Sequence, residues 1–134
     1  MGPNDAELIR VFTQGAGATI ADVTFPTNAP FDIVVEVEAG TAIHGSGAQF
    51  KTNIVVRDLT ANANIAAAPA GGVSGAMSSP AWPSPPQKFV YTVAAAALAG
   101  KDDHLCQVIS FLSVGVTNPD TSFAESPLFL LTSP

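Results

Sequence analysis

The sequence predicts an all-β fold in which two antiparallel sheets, about seven to nine strands in all, pack face to face. Short runs rich in Val, Ile, Phe and Thr recur between clusters of Gly, Pro, Asn and Asp. Within these runs apolar and polar residues alternate, which is the period of a strand with one face in a core. The helical patterns of about 10–15 residues that an α/β chain places between its strands are missing. The 134 residues suit a single domain over 1–134, and a chain of that size buries roughly two-thirds of its unfolded surface without disulfide or metal staples.

Leu8–Phe12 and Thr19–Phe25 read as two short strands, separated at Gln14, Gly15, Ala16 and Gly17 by a bulge or a switch between sheets. The clearest strand follows Pro30: Phe31, Ile33, Val35 and Val37 point inward, and Asp32, Val34, Glu36 and Glu38 point to solvent. Gly40–Gly47 reads as a flexible connection. Gln49–Leu59 is a long strand with Phe50, Thr52, Ile54, Val56 and Asp58 on one face and Lys51, Asn53, Val55 and Arg57 on the other. Asn62–Ala67 adds a short strand. Residues 69–87 carry Gly71, Gly72, Gly75, Pro80, Pro83, Pro85 and Pro86, so this stretch reads as a long Pro/Gly-rich surface connection, because proline withholds a ladder donor and glycine is costly to order.

Lys88–Val93 returns to strand with Phe89, Tyr91 and Val93 on one face. The Ala94–Ala99 run ends at Gly100, too short for an independent helix, and reads as one turn. His104–Val114 carries Cys106, Val108, Leu112 and Val114 on one face and Leu105, Ile109 and Phe111 on the other, the pattern of a strand central in its sheet or covered twice. Asn118, Pro119 and Asp120 turn the chain into a last strand, Ser122–Thr132, in which Pro127 marks a bulge or an edge. No tandem repeat is visible.

This layout resembles an immunoglobulin-like or fibronectin type III-like sandwich in strand count and spacing. Cys106 stands where the second cysteine of an immunoglobulin domain falls, and Val35 or Val37 occupies the place of the first. The chain departs from that pattern at Trp82, which lies in the connection and not in a strand, and at His104, where such domains often carry tyrosine. What the resemblance implies is architecture, since folds of this kind carry adhesins, binding modules and structural subunits alike.

Composition narrows the function classes. Five Lys+Arg against 11 Asp+Glu give a net charge of −6, which disfavours nucleic acid and anionic membrane as partners. A mean hydropathy of +0.33 argues against disorder. No apolar run approaches the roughly 20 residues of a membrane-spanning helix. The start, Met1 to Glu7, has neither the basic nor the apolar region of a secretory signal, and a lone cysteine suits any compartment; the reading leans towards the cytoplasm.

Catalytic motifs are weak throughout. His104 and Cys106 would share a strand face, but Asp102 and Asp103 stand beside them, and reactive thiolates need electropositive surroundings. Cys106 therefore reads as a structural core thiol. Lys101, Asp102, Asp103 and His104, even with His44, read as a solvated turn before they read as a metal site. Glu36 and Glu38 lie about 7 Å apart on one strand, whereas glycosidase carboxylates converge from separate elements. Gly45, Ser46 and Gly47 lack the outer spacing of a nucleophile elbow.

The expectation is a non-catalytic binding or structural module, with no cofactor and no metal. Its first form is a homo-oligomer, or a complex with another protein, built on an apolar sheet face of Val34, Leu105, Ile109, Phe111 and Leu130. Its alternative is a small-ligand or glycan site of Trp82, Tyr91, Asn62 and Asn64, with Trp82 held between prolines as a stacking platform, unless that ring folds back over an open end of the sandwich. A metal-dependent hydrolase is the minor alternative.

Overall fold

The computed structural model describes residues 4–115 and 119–134. The strands are β1 (Ala6–Gly15), β2 (Thr24–Pro26), β3 (Phe31–Ala39), β4 (Gln49–Asp58), β5 (Ala63–Ile65), β6 (Val73–Ala76), β7 (Pro86–Val93), β8 (Leu105–Val114), β9 (Asp120–Glu125) and β10 (Phe129–Thr132), with a short helix α1 (Thr41–Gly45) and a 3-10 turn at Ala95–Leu98. They form two sheets, one of three strands in the order β1-β3-β7 and one of seven along the path β2-β10-β8-β4-β5, with β6 on β4 and β9 on β8. All pairings are antiparallel except β10 with β2, which is parallel. The predicted all-β, two-sheet architecture is therefore what the chain adopts, with one parallel pair that the sequence reading did not include.

The alternation placed the core. Phe31, Ile33, Val35 and Val37 of β3, Phe89, Tyr91 and Val93 of β7, Phe50 and Val56 of β4, and Cys106, Val108, Leu112 and Val114 of β8 are all buried between the sheets. Toward one end, Phe25 stacks on Phe31 at 4.5 Å between ring centroids and Phe129 meets both edge-on. Toward the other, Trp82 stands edge-on to Phe50 and Phe89 at 5.0 and 5.8 Å. As the two-faced pattern required, β8 is central, flanked by β4 on one side and by β9 and β10 in series on the other.

Several local readings change. Thr19–Phe25 is not a continuous strand: the chain turns after Gly15, touches β1 at Ala21 opposite Gln14, and pairs as β2 only from Thr24. The cause is the glycine pair, since Gly17 takes a φ of 71° and Asp32 caps its N–H. Gly40–Gly47 contains α1, whose His44 is buried. Ser122–Thr132 is two strands, because Ser126–Leu128 leaves the ladder at Pro127 and β10 resumes pairing on β8 at Cys106. The predicted turn at Asn118, Pro119 and Asp120 begins within 116–118, outside the described residues.

The 69–87 stretch is only partly a surface connection. It contributes β6 to the seven-stranded sheet and sends Met77 and Trp82 into the core. Gly72 makes this approach feasible: a Cβ there would lie 2.1 Å from the Thr52 carbonyl oxygen, so any other residue would push the chain off β4.

Candidate functional site

Each sheet has an outer face, and the two are built differently. On the three-stranded sheet, register sets Arg10, Glu36 and Lys88 side by side across β1, β3 and β7. Arg10 Nε donates to Glu36 Oε2 at 2.6 Å, and Lys88 Nζ lies 3.5 Å from Glu36 Oε1. The Arg10 hydrogen bond holds the Glu36 carboxyl below the usual glutamate range. The next row is Phe12, Val34 and Val90, with the Arg10 guanidinium 4.4 Å from the Phe12 ring centroid. Two hollows open here, of about 550 Å³ beside Ile9, Glu38 and Gln87 and about 330 Å³ beside Phe12, Ala18 and Val34. Arg10, Glu36 and Lys88, which line these hollows, are engaged with one another.

The outer face of the seven-stranded sheet carries two apolar bands. Leu130, Leu105 and Leu59 form one row across β10, β8 and the end of β4. Ile109 lies opposite Val55, and Phe111 lies opposite Phe123. Val55, Leu59, Leu105, Ile109, Phe123 and Leu130 are exposed, Phe123 most of all at 72%. Between these apolar bands runs a polar row. Arg57 stands opposite Gln107 on β8 and opposite Asn64 on β5. Its guanidinium donates to Asn64 Oδ1 and to Asn62 Oδ1, the latter from a left-handed turn residue of φ 53°. Gln107 donates to the Ser126 carbonyl at 3.0 Å and to Glu125 at 3.4 Å.

Of the residues expected to self-associate, Leu105, Ile109, Phe111 and Leu130 therefore share this face, and Val34 does not. Val34 is 3% exposed and belongs to the other sheet, flanked by Phe12 and Val90. Alternation correctly turned it away from the core, but cross-strand neighbours covered it. The proposed glycan set is not brought together either. Trp82 and Tyr91 are both 0% exposed, so neither ring offers a face for stacking. Trp82 seals the end of the sandwich, with Nε1 donating to the Pro85 carbonyl at 3.0 Å and its own carbonyl 2.9 Å from His44 Nε2. Tyr91 Oη donates to the Thr52 carbonyl at 3.2 Å, and burial pushes its pKa up to about 12. Asn62 and Asn64 are at the surface, gripping Arg57.

Sequence reasoning missed one cluster. Asp58, with no exposed side-chain surface, receives His104 Nδ1 at 2.6 Å, Lys101 Nζ at 3.5 Å and the Ala61 N–H at 3.0 Å. Burial acts to raise this carboxyl, but the His104 hydrogen bond, the Ala61 N–H and the nearby cations together bring it below the usual aspartate value. The signal was available as an acid on the inward face of the Gln49–Leu59 strand, an arrangement that demands a partner. Cys106 lies opposite Asp58 in the ladder. Burial, aided by the Asp58 charge, pushes its thiol up to about 11, so at neutral pH it stays protonated. Asp58 orders the 101–104 turn and activates no nucleophile. Among the described residues no group of three His, Cys, Asp or Glu side chains is arranged to hold a metal ion.

No family profile matches the chain, and no curated protein matches it. Solved structures do. The chain is similar to AggA, the major subunit of aggregative adherence fimbriae type I from Escherichia coli, with a TM-score of 0.52 and 8% identity over 98% of this chain and 97% of that one. It is also similar to the C-terminal domain of wzt, with a TM-score of 0.54 and 14% identity over 100% of this chain and 76% of that one. The chain is a β-sandwich. At such identities the likeness concerns fold, and function must be argued from the faces of the molecule.

Proposed function

We propose that this protein is a non-catalytic structural or binding module of immunoglobulin-like architecture that associates with copies of itself through the outer face of its seven-stranded sheet. The supporting observation is a pair of apolar bands on that face, Leu130, Leu105 and Leu59 on one side of the Arg57–Gln107 row and Val55, Ile109, Phe111 and Phe123 on the other. Scattered exposed apolar residues are ordinary, whereas several on one flat sheet face mark an association surface. The face is also large enough. β4 and β8 have ten residues each and the shorter strands bring the sheet to 40, which at strand spacing is about 650 Å² per partner, toward the lower end of a standard interface.

Sedimentation velocity across a wide concentration range tests this reading. The expected result is a concentration-dependent shift to a dimer that Ile109→Lys abolishes without unfolding the monomer. A single monomeric boundary at the highest concentration overturns it.

A further inference from the structure

The cations are distributed unevenly. Of the five Lys and Arg side chains, Arg10 and Lys88 flank Glu36 and Lys101 contacts Asp58. The other two, Lys51 and Arg57, stand on the outer face of β4, and among the described residues neither has a carboxylate at ion-pair distance. Arg57 is not a loose surface chain. Asn62 and Asn64 fix its guanidinium through neutral oxygens, leaving the full charge and the remaining N–H groups to an outside acceptor. Two strands away on the same face, Glu125 receives the long Gln107 amide bond and, among the described residues, has no cation at ion-pair distance. Strand spacing separates the two positions by about 12 Å, two strands across and two residues along, and the Arg57 guanidinium is held on the β5 side of β4, away from Glu125.

We infer that Arg57 and Glu125 are the two halves of an intermolecular key: in a two-fold dimer of stacked seven-stranded sheets, Arg57 of each copy pairs with Glu125 of the other. This rests on the self-association reading and adds its register. When two identical faces stack, their two-fold axis lies in the plane between them. An axis running between Gln107 and Ile109, perpendicular to the line from Arg57 to Glu125, lays each charge over its opposite. The same operation brings Val55 and Ile109 of one copy over Ile109 and Val55 of the other, so this apolar pair and the ionic pair share one placement. Stacked sheets sit about 10 Å apart, within reach of an extended arginine meeting a glutamate. Such a pair serves register and specificity more than affinity, since desolvation offsets much of its attraction.

The test uses two charge reversals, Arg57→Glu and Glu125→Arg, with circular dichroism and thermal melting to establish that both are folded. Alone, each variant faces like charges at both keys, and its dimer weakens by about tenfold or more. Mixed in equal amounts, the two variants form a heterodimer in which both keys are correctly paired, and dimerisation returns to within about threefold of the original protein. Glu125→Gln leaves the Arg57 grip untouched. It is expected to weaken the dimer by less than the reversals and to reduce its salt dependence. If the original protein dimerises but the single reversals dimerise equally well, or their mixture stays monomeric, the key is overturned and self-association stands. If the original protein is monomeric, both fail together.

Discussion

The two sheets dispose of their charges in opposite ways. The three-stranded sheet pairs both of its cations on its outer surface, where Glu36 lies between Arg10 and Lys88. The seven-stranded sheet draws Asp58, with Lys101 and His104, toward its inner face, and leaves Arg57 and Glu125 apart among exposed aliphatic and aromatic side chains. The first arrangement pairs both cations of its sheet; the second holds an ordered cation and an anion apart on one face, the feature on which the proposed self-association draws.

The largest effect expected from breaking this contrast is at Asp58. Asp58→Ala removes the acceptor shared by His104, Lys101 and the Ala61 N–H and destabilises the fold by about 2–4 kcal/mol, measured by urea unfolding. Acid unfolding tests the same group. Its carboxyl titrates below the ordinary value of 3.8 when folded. Its contribution is therefore complete above that value and is lost as the pH falls through the folded value; Asp58→Asn flattens this limb. The next effect separates the faces directly. Ile109→Lys weakens self-association by about tenfold or more, whereas Val90→Lys, an exposed position on the other sheet, leaves the sedimentation profile unchanged. Equal effects at the two positions would erase the distinction.

Smaller still is Glu36→Gln. It moves the urea midpoint by a small fraction of the Asp58→Ala shift, since its cationic partners are mostly in water. The smallest is at Cys106. With no exposed surface and a thiol pushed up to about 11, it resists alkylation in the native protein at about pH 8 and reacts once unfolded. Rapid labelling of the folded protein would show that the inner face of β8 opens.

Much of the fold was legible because strand alternation is a local property. The inward sets Phe31–Val37, Phe89–Val93 and Cys106–Val114 follow from period two alone. The candidate face was legible in part: Leu105, Ile109, Phe111 and Leu130 point outward by the same rule. Val34 obeyed the rule and was still lost to the face, because cover comes from cross-strand neighbours, and register cannot be read from one strand. For Trp82 the sequence left two readings, a stacking platform and a ring folded back over an end of the sandwich, and only the packing on Phe50 and Phe89 selects the second.

The sequence by itself determined that the chain alternates into strands, that β8 is apolar on both sides, and that charge is scarce and mostly negative. Tertiary structure alone decided which sheet each strand joined, which outward residues stayed exposed, and that Arg57 is held by Asn62 and Asn64 and not by Glu125. The reason is one of range. Side-chain direction is fixed by the two bonds on either side of a residue, whereas a neighbour across the sheet comes from a pairing between distant positions, such as Gln107 and Glu125, 18 positions apart, that the intervening chain leaves unspecified.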